Sequence, residues 1–177
     1  LTEIKIEGVL PRTVVFTIQA TKVPNFKGRE LTMNTVKSLT KEPPRSPRAR
    51  LGGYALIARM IDKGRADLQG NAGEYHYACP LDQMLFEFKG VQADEVKKVL
   101  SSGATDEQVV TWFDSHGTAK TAEEIKAWSN GVVGYRPYDD PEKKEWFAGE
   151  CAKLGLKPES STLVDYLEAD DAVSFKN

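Results

Sequence analysis

Cys79 stands directly before Pro80 and three residues after His76. Proline suits the first position of a helix, so the thiol falls at a helix N-terminus. There the helix dipole would lower its pKa and favour a thiolate, with His76 or Glu74 as the base of a thiol nucleophile or redox centre. The alternative is a small buried hydrophobe, a common fate of a free cysteine. Upstream, Asp62 and Arg65 fall three apart inside the apolar arc of a predicted helix, close enough to pair. Either they form a buried ion pair that fixes helix packing, or Arg65 is free to hold a carboxylate or phosphate. Arg48, Tyr75 and Tyr77 complete this candidate ligand-binding set.

Other constellations carry less. Two cysteines and two histidines are too few for a structural zinc site unless all four converge or carboxylates join them, so no metal or other cofactor is expected. Glu168, Asp170 and Asp171 form an acidic cluster, but nothing spaces them like a calcium loop, and a solvated helix end is the expectation. Trp112, Trp128 and Trp146 each fall on an apolar helical stripe and read as core.

The elements that would position these residues are helical. Ser46 and Pro47 suit an N-cap and first helical position, predicting a helix over 48–68 with Leu51, Tyr54, Ala55, Ala58 and Ile61 on its apolar face. Arg59, Lys63 and Asp67 fall on the outer side as a solvated strip. Gly52 and Gly53 cost about 1 kcal/mol each inside a helix, so either the helix starts after them or something approaches the backbone there, as at an anion-binding helix N-terminus. Gly70 and Gly73 stop it. Residues 74–78 read as an extended aromatic stretch. A second helix begins at Pro80 and ends at Gly90, and a third spans 93–100. Capping boxes at Thr105 and Thr121, an Asp140-Pro141 start and a start at Thr162 predict four more. The fold class is therefore all-α, a single compact domain of about seven short helices over 33–177.

Residues 1–32 differ. Ile4 and Ile6 alternate with Lys5 and Glu7, and Val14, Phe16 and Ile18 recur at period two, suggesting two short strands around Pro11. The chain lacks Met at position 1 and Met33 opens a segment of different character. These residues are either upstream sequence from a misplaced start or a genuine short N-terminal β arm.

Composition bounds the function class. The chain has 177 residues, 40% apolar and 28% charged, with a net charge of −2. That is enough for one real core, and it gives no global attraction to nucleic acid or an anionic membrane. Basic residues concentrate between Lys37 and Arg65 and acids from Asp139 onward, an asymmetry that would steer an anionic ligand or simply hold the fold together. No apolar run approaches the roughly 18 residues of a membrane span. Two cysteines make reduced thiols in a cytoplasm the expectation.

The segments RSPRARLGGYALIARMIDKGRADLQG, GEYHYACPLDQ, EIKAW and TLVDYLEADDAVSF are long and specific. Over about 37–175 they make the chain resemble the bacterial family catalogued as domain of unknown function 5069. The resemblance implies a small helical protein and transfers no catalytic residue, substrate or cofactor. Residues 1–32 fall outside it, which favours the misplaced start. The leading functional reading is a binding module for a small anionic ligand or partner group near Arg48, Asp62, Arg65 and the 74–79 turn. One alternative is a thiol-dependent enzyme or redox protein using Cys79. The other is an interaction protein whose polar cluster is purely structural. Oligomeric state is not legible.

Overall fold

Thr105, Thr121 and Thr162 each accept a hydrogen bond from the backbone N–H three residues on and receive that residue's side chain on their own N–H. These reciprocal caps satisfy donors that a helix start leaves unpaired. They open three of the seven α-helices found among the residues described by the computed structural model, 36–175. The helices are α1 (Ile57–Leu68), α2 (Pro80–Lys89), α3 (Ala93–Ser101), α4 (Asp106–Ser115), α5 (Ala122–Gly134), α6 (Lys144–Lys153) and α7 (Leu163–Ser174). A 3-10 turn, Pro137–Asp139, precedes α6. Among the described residues there is no strand, and the fold is all-α as expected. The expected β arm at 1–32 lies outside the described residues.

Two helix starts differ from the sequence reading. α1 begins at Ile57, nine residues after the expected 48. Gly52 and Gly53 take φ of 57° and 86°, a left-handed pair that makes a tight turn closed by Leu51 and Tyr54. Side chains with a Cβ pay for that conformation, so the glycines mark a turn ahead of the helix. Ser46 Oγ accepts the Arg48 N–H at 3.0 Å in a local turn instead of capping a helix. α6 begins at Lys144 because Asp140 first caps a turn, accepting the Glu142 N–H at 3.0 Å. The 74–78 stretch is also turns, not an extended segment.

α1 is the helix against which α2 to α5 pack. Ile57, Ala58, Met60 and Ile61 are at most 1% exposed. Ile57, Met60 and Ile61 join Leu85 and Phe86 of α2, Val96 and Leu100 of α3, Val109 and Phe113 of α4 and Ile125 of α5 in a continuous core. Trp112 and Trp128 pack against this core as expected. Trp146 does not: it is 50% exposed, against the edge of Phe147 and Tyr166. No helix among the described residues is long and apolar enough to cross a membrane.

Candidate functional site

α1 is covered on nearly all sides from Ile57 to Gly64, so the charged residues of that stretch have no solvent face to occupy. Arg59 and Lys63, expected on a solvated strip, are 6% and 3% exposed, while Asp67 is exposed. A buried charge costs several kcal/mol without partners, so each must be matched from another element. Arg59 donates to both oxygens of Asp171 on α7, at 2.6 and 3.0 Å. The Tyr75 hydroxyl donates to the same carboxylate at 2.7 Å, and the Arg59 guanidinium sits 5.4 Å from the Tyr75 ring centre. Burial works against the Arg59 charge, but Asp171 outweighs it and raises the guanidinium's pKa. Burial, then Asp171, also pushes the Tyr75 phenol up. Asp171 is thus buried in a charge cluster and not part of a solvated helix end, although Asp170 beside it is exposed.

Lys63 reaches α2. Its Nζ lies 2.8 Å from Asp82 Oδ1 and donates to Cys79 Sγ at 2.9 Å. Asp82 is 2% exposed, and among the described residues its Oδ2 has no hydrogen-bond partner. Burial pushes the Asp82 carboxyl up, with Lys63 opposing. Cys79 precedes the first helical residue, Pro80, as the sequence suggested. The residue before it, Ala78, is held at φ 58°. A left-handed alanine costs about 1–2 kcal/mol, and such strain is commonly kept where it aims a functional group.

The predicted Asp62 and Arg65 pair is indirect. Asp62 is buried, as its place in the apolar arc implied, but its partner is Arg45, which donates from its backbone N–H at 2.8 Å, from Nε at 3.0 Å and from Nη2 at 2.8 Å. Arg65 pairs instead with Asp106 at the start of α4, at 2.7 Å, and donates to the Ala104 carbonyl at 2.8 Å. Arg45 also contacts Asp106, so the order is Asp62, Arg45, Asp106, Arg65. Neighbours three apart on a helix are separated here because each points to a different packed element. Arg48 belongs to neither group: it pairs with Asp165 and Glu168 on α7. Ser46 donates to the same Glu168. Tyr77 turns into the core, against Phe86, with its hydroxyl donating to the Ala93 carbonyl at 2.8 Å.

On the Arg59 and Lys63 side of α1 lies a cavity of about 600 Å³. Leu39, Leu81 and Leu167 line it with Tyr75 and Phe175, whose rings stack 7° from parallel. Arg59, Lys63, Cys79 and Asp171 supply its inner polar groups, and the exposed Glu74, His76 and Asp170 its outer ones. Of the predicted site residues, the cavity brings together Glu74, Tyr75, His76 and Cys79. Arg48, Asp62, Arg65 and Tyr77 do not line it. No hydrogen bond joins His76 or Glu74 to Cys79 among the described residues; the group on the sulfur is Lys63. Among the same residues, no three His, Cys, Asp or Glu side chains gather as a metal site would require.

The model of one family, described as a domain of unknown function, matches residues 41–173. The chain belongs to the DUF5069 family. The match takes in Arg45, all of α1 to α6, the cavity residues from Arg59 to Asp171, and most of α7. No curated protein matches the DUF5069 chain.

Lys63, Asp82, Arg59 and Asp171 are the residues that sequence reasoning missed. The only trace in the sequence is a matching supply of charges. Arg59 and Lys63 stand four apart on one side of the helix, and acids stand at Asp82 and in the 168–171 cluster.

Proposed function

We propose that this DUF5069 protein is a binding module for a small monocarboxylate with a short apolar body, held in the cavity beside α1. One observation carries the reading. Lys63, 3% exposed, lines a 600 Å³ space walled by leucines and stacked aromatic rings. Such a concave, mostly apolar lining with few convergent polar groups is the usual form of a small-molecule site. An ammonium has three donors, and Cys79 and Asp82 take two, leaving one for a ligand oxygen. Two cations, Arg59 and Lys63, are already balanced by Asp171 and Asp82, and Glu74 and Asp170 stand at the rim. That balance favours one negative charge on the ligand at most and disfavours phosphate or sulfate. Stability alone does not require the buried Lys63 and Asp82, since an apolar pair of similar volume commonly serves as well or better.

Arg48, Asp62 and Arg65 drop out of the ligand reading. Their charges are already matched by protein groups, which supports a structural role for them. A second reading, thiol chemistry at Cys79, is favoured by the Lys63 contact and the left-handed Ala78. Lys63 then takes the place beside the sulfur that His76 was expected to fill.

The test is thermal stability in a series of monocarboxylates of increasing chain length, against chloride at equal ionic strength. The expected result is a saturable rise in melting temperature for one size range, absent for phosphate and sulfate and absent in Lys63→Met. No rise for any carboxylate, or a rise that survives Lys63→Met, rejects the site.

A further inference from the structure

Lys63 makes two contacts that belong to different chemistries. One is to a nucleophilic sulfur, 2.9 Å away at Cys79; the other is to a carboxylate, 2.8 Å away at Asp82. The lysine and aspartate side chains are 4% and 2% exposed, whereas Cys79 is half-buried and lines the cavity. A small oxidant therefore reaches the sulfur from the cavity, and the amine already stands against its protein side. The second oxygen of Asp82 is buried and, among the described residues, without a hydrogen-bond partner, so it has a position open to a proton.

We propose that Lys63 and Cys79 form an oxidation-dependent covalent cross-link, a sulfenamide joining Nζ to Sγ, with a hydroperoxide as oxidant. In the first step the sulfur attacks a peroxide oxygen. The S–O bond forms, the O–O bond breaks, and an alcohol or water leaves with the thiol proton. Sulfur loses two electrons, the peroxide gains two, and Cys79 becomes a sulfenic acid. In the second step the Lys63 ammonium gives one proton to Asp82, and the free amine attacks the sulfur. The N–S bond forms, the S–O bond breaks, and hydroxide departs as water with the second amine proton. No further oxidant is consumed.

Sulfenic acids condense in this way with a backbone nitrogen when one is close. Here a side-chain amine occupies that position, and its own base is in place. Burial holds the Asp82 carboxyl up, which suits it to receive the proton. Without a resolving group, a sulfenic acid is open to further oxidation to the irreversible sulfinic acid. The cross-link protects Cys79 from that fate, and it does not depend on the cavity binding a carboxylate.

The test uses the full chain treated with a few equivalents of hydrogen peroxide near neutral pH, followed by intact mass and tryptic mapping. Forming the S–N bond removes two hydrogens, a loss of about 2 Da. Trypsin should then stop cutting after Lys63, and dithiothreitol should restore both mass and cleavage. Cys151, fully buried, should remain a free thiol. In Lys63→Arg, which keeps a cation beside Asp82 but no nucleophilic amine, peroxide should instead drive Cys79 to a gain of about 32 Da. Lys63→Met combined with Asp82→Leu, which leaves no unpaired buried charge, should do the same. The proposal is overturned if the unaltered chain gains oxygen with cleavage after Lys63 intact, if it forms an intermolecular disulfide instead, or if Lys63→Arg still loses about 2 Da.

Discussion

Replacing Arg45 by methionine should cost far more than replacing Arg65, although Arg65 lies on the buried helix and Arg45 lies outside it. Asp62 has a side chain 7% exposed, and among the described residues all its side-chain hydrogen bonds come from Arg45: one from the backbone N–H and the rest from the guanidinium. Arg45→Met leaves only the backbone bond at 2.8 Å. Stranding a buried charge costs about 3–5 kcal/mol. The Arg45 side chain is 28% exposed, so water reaches the place it vacates, and the lower end, about 3 kcal/mol, is expected. Arg65→Met removes hydrogen bonds to Asp106 and to the Ala104 carbonyl, while Asp106, 19% exposed, keeps Arg45. Arg45→Met likewise loses a bond to Asp106 and one to the Ala58 carbonyl, so the two changes differ by the stranding of Asp62, about 3 kcal/mol. Urea denaturation with linear extrapolation resolves the difference. Arg45→Met combined with Asp62→Leu should cost less than the sum of the two single changes, because the second removes the stranded charge. Equal costs for Arg45→Met and Arg65→Met, or strict additivity in the double variant, would refute this account of the network.

Three further outcomes are expected. Burial opposes ionisation of Asp106, but Arg45 and Arg65 outweigh it and hold its carboxyl below the usual range. Its contribution is then complete above the unfolded value of about 3.9 and is lost as pH falls through the lower folded value, so melting temperatures taken from pH 6 to pH 2 should decline less below pH 4 in Asp106→Asn. Gly117→Ala should destabilise by about 2–4 kcal/mol by urea denaturation, since φ is 66° and a Cβ would stand 2.0 Å from the Lys89 carbonyl oxygen. In native protein, iodoacetamide should label Cys79 and spare Cys151, with both labelled in urea; equal native labelling would contradict the burial of Cys151.

The helices were legible where a local rule decided them. The reciprocal caps at Thr105, Thr121 and Thr162 depend only on residues three apart, and the structure keeps all three. Asp62 was legible as buried because helical periodicity placed it in the apolar arc. Its partner was not, because Arg45 lies 17 residues away and periodicity says nothing about what packs on a face. Arg59 and Lys63 misled for a related reason. A helical wheel assumes one wet side, whereas α1 is covered on that side by α7 and by the turn before α2. The candidate site moved across the helix accordingly, from Arg48, Asp62 and Arg65 to Lys63 and Cys79. The turn holding Glu74, Tyr75, His76 and Cys79 was found because proline, the cysteine and the aromatic residues cluster within a few positions.

The charges of α1 also bear on how the chain is made. Asp171 is 112 residues beyond Arg59. At about 5–20 residues per second, a ribosome takes about 6–22 s to cover that distance. Throughout that interval Arg59 lacks the carboxylate that makes its burial tolerable. The central helix therefore cannot settle as it emerges, and a nascent chain stalled before α7 should remain open to proteases and chaperones even though most of its apolar core has already been synthesised.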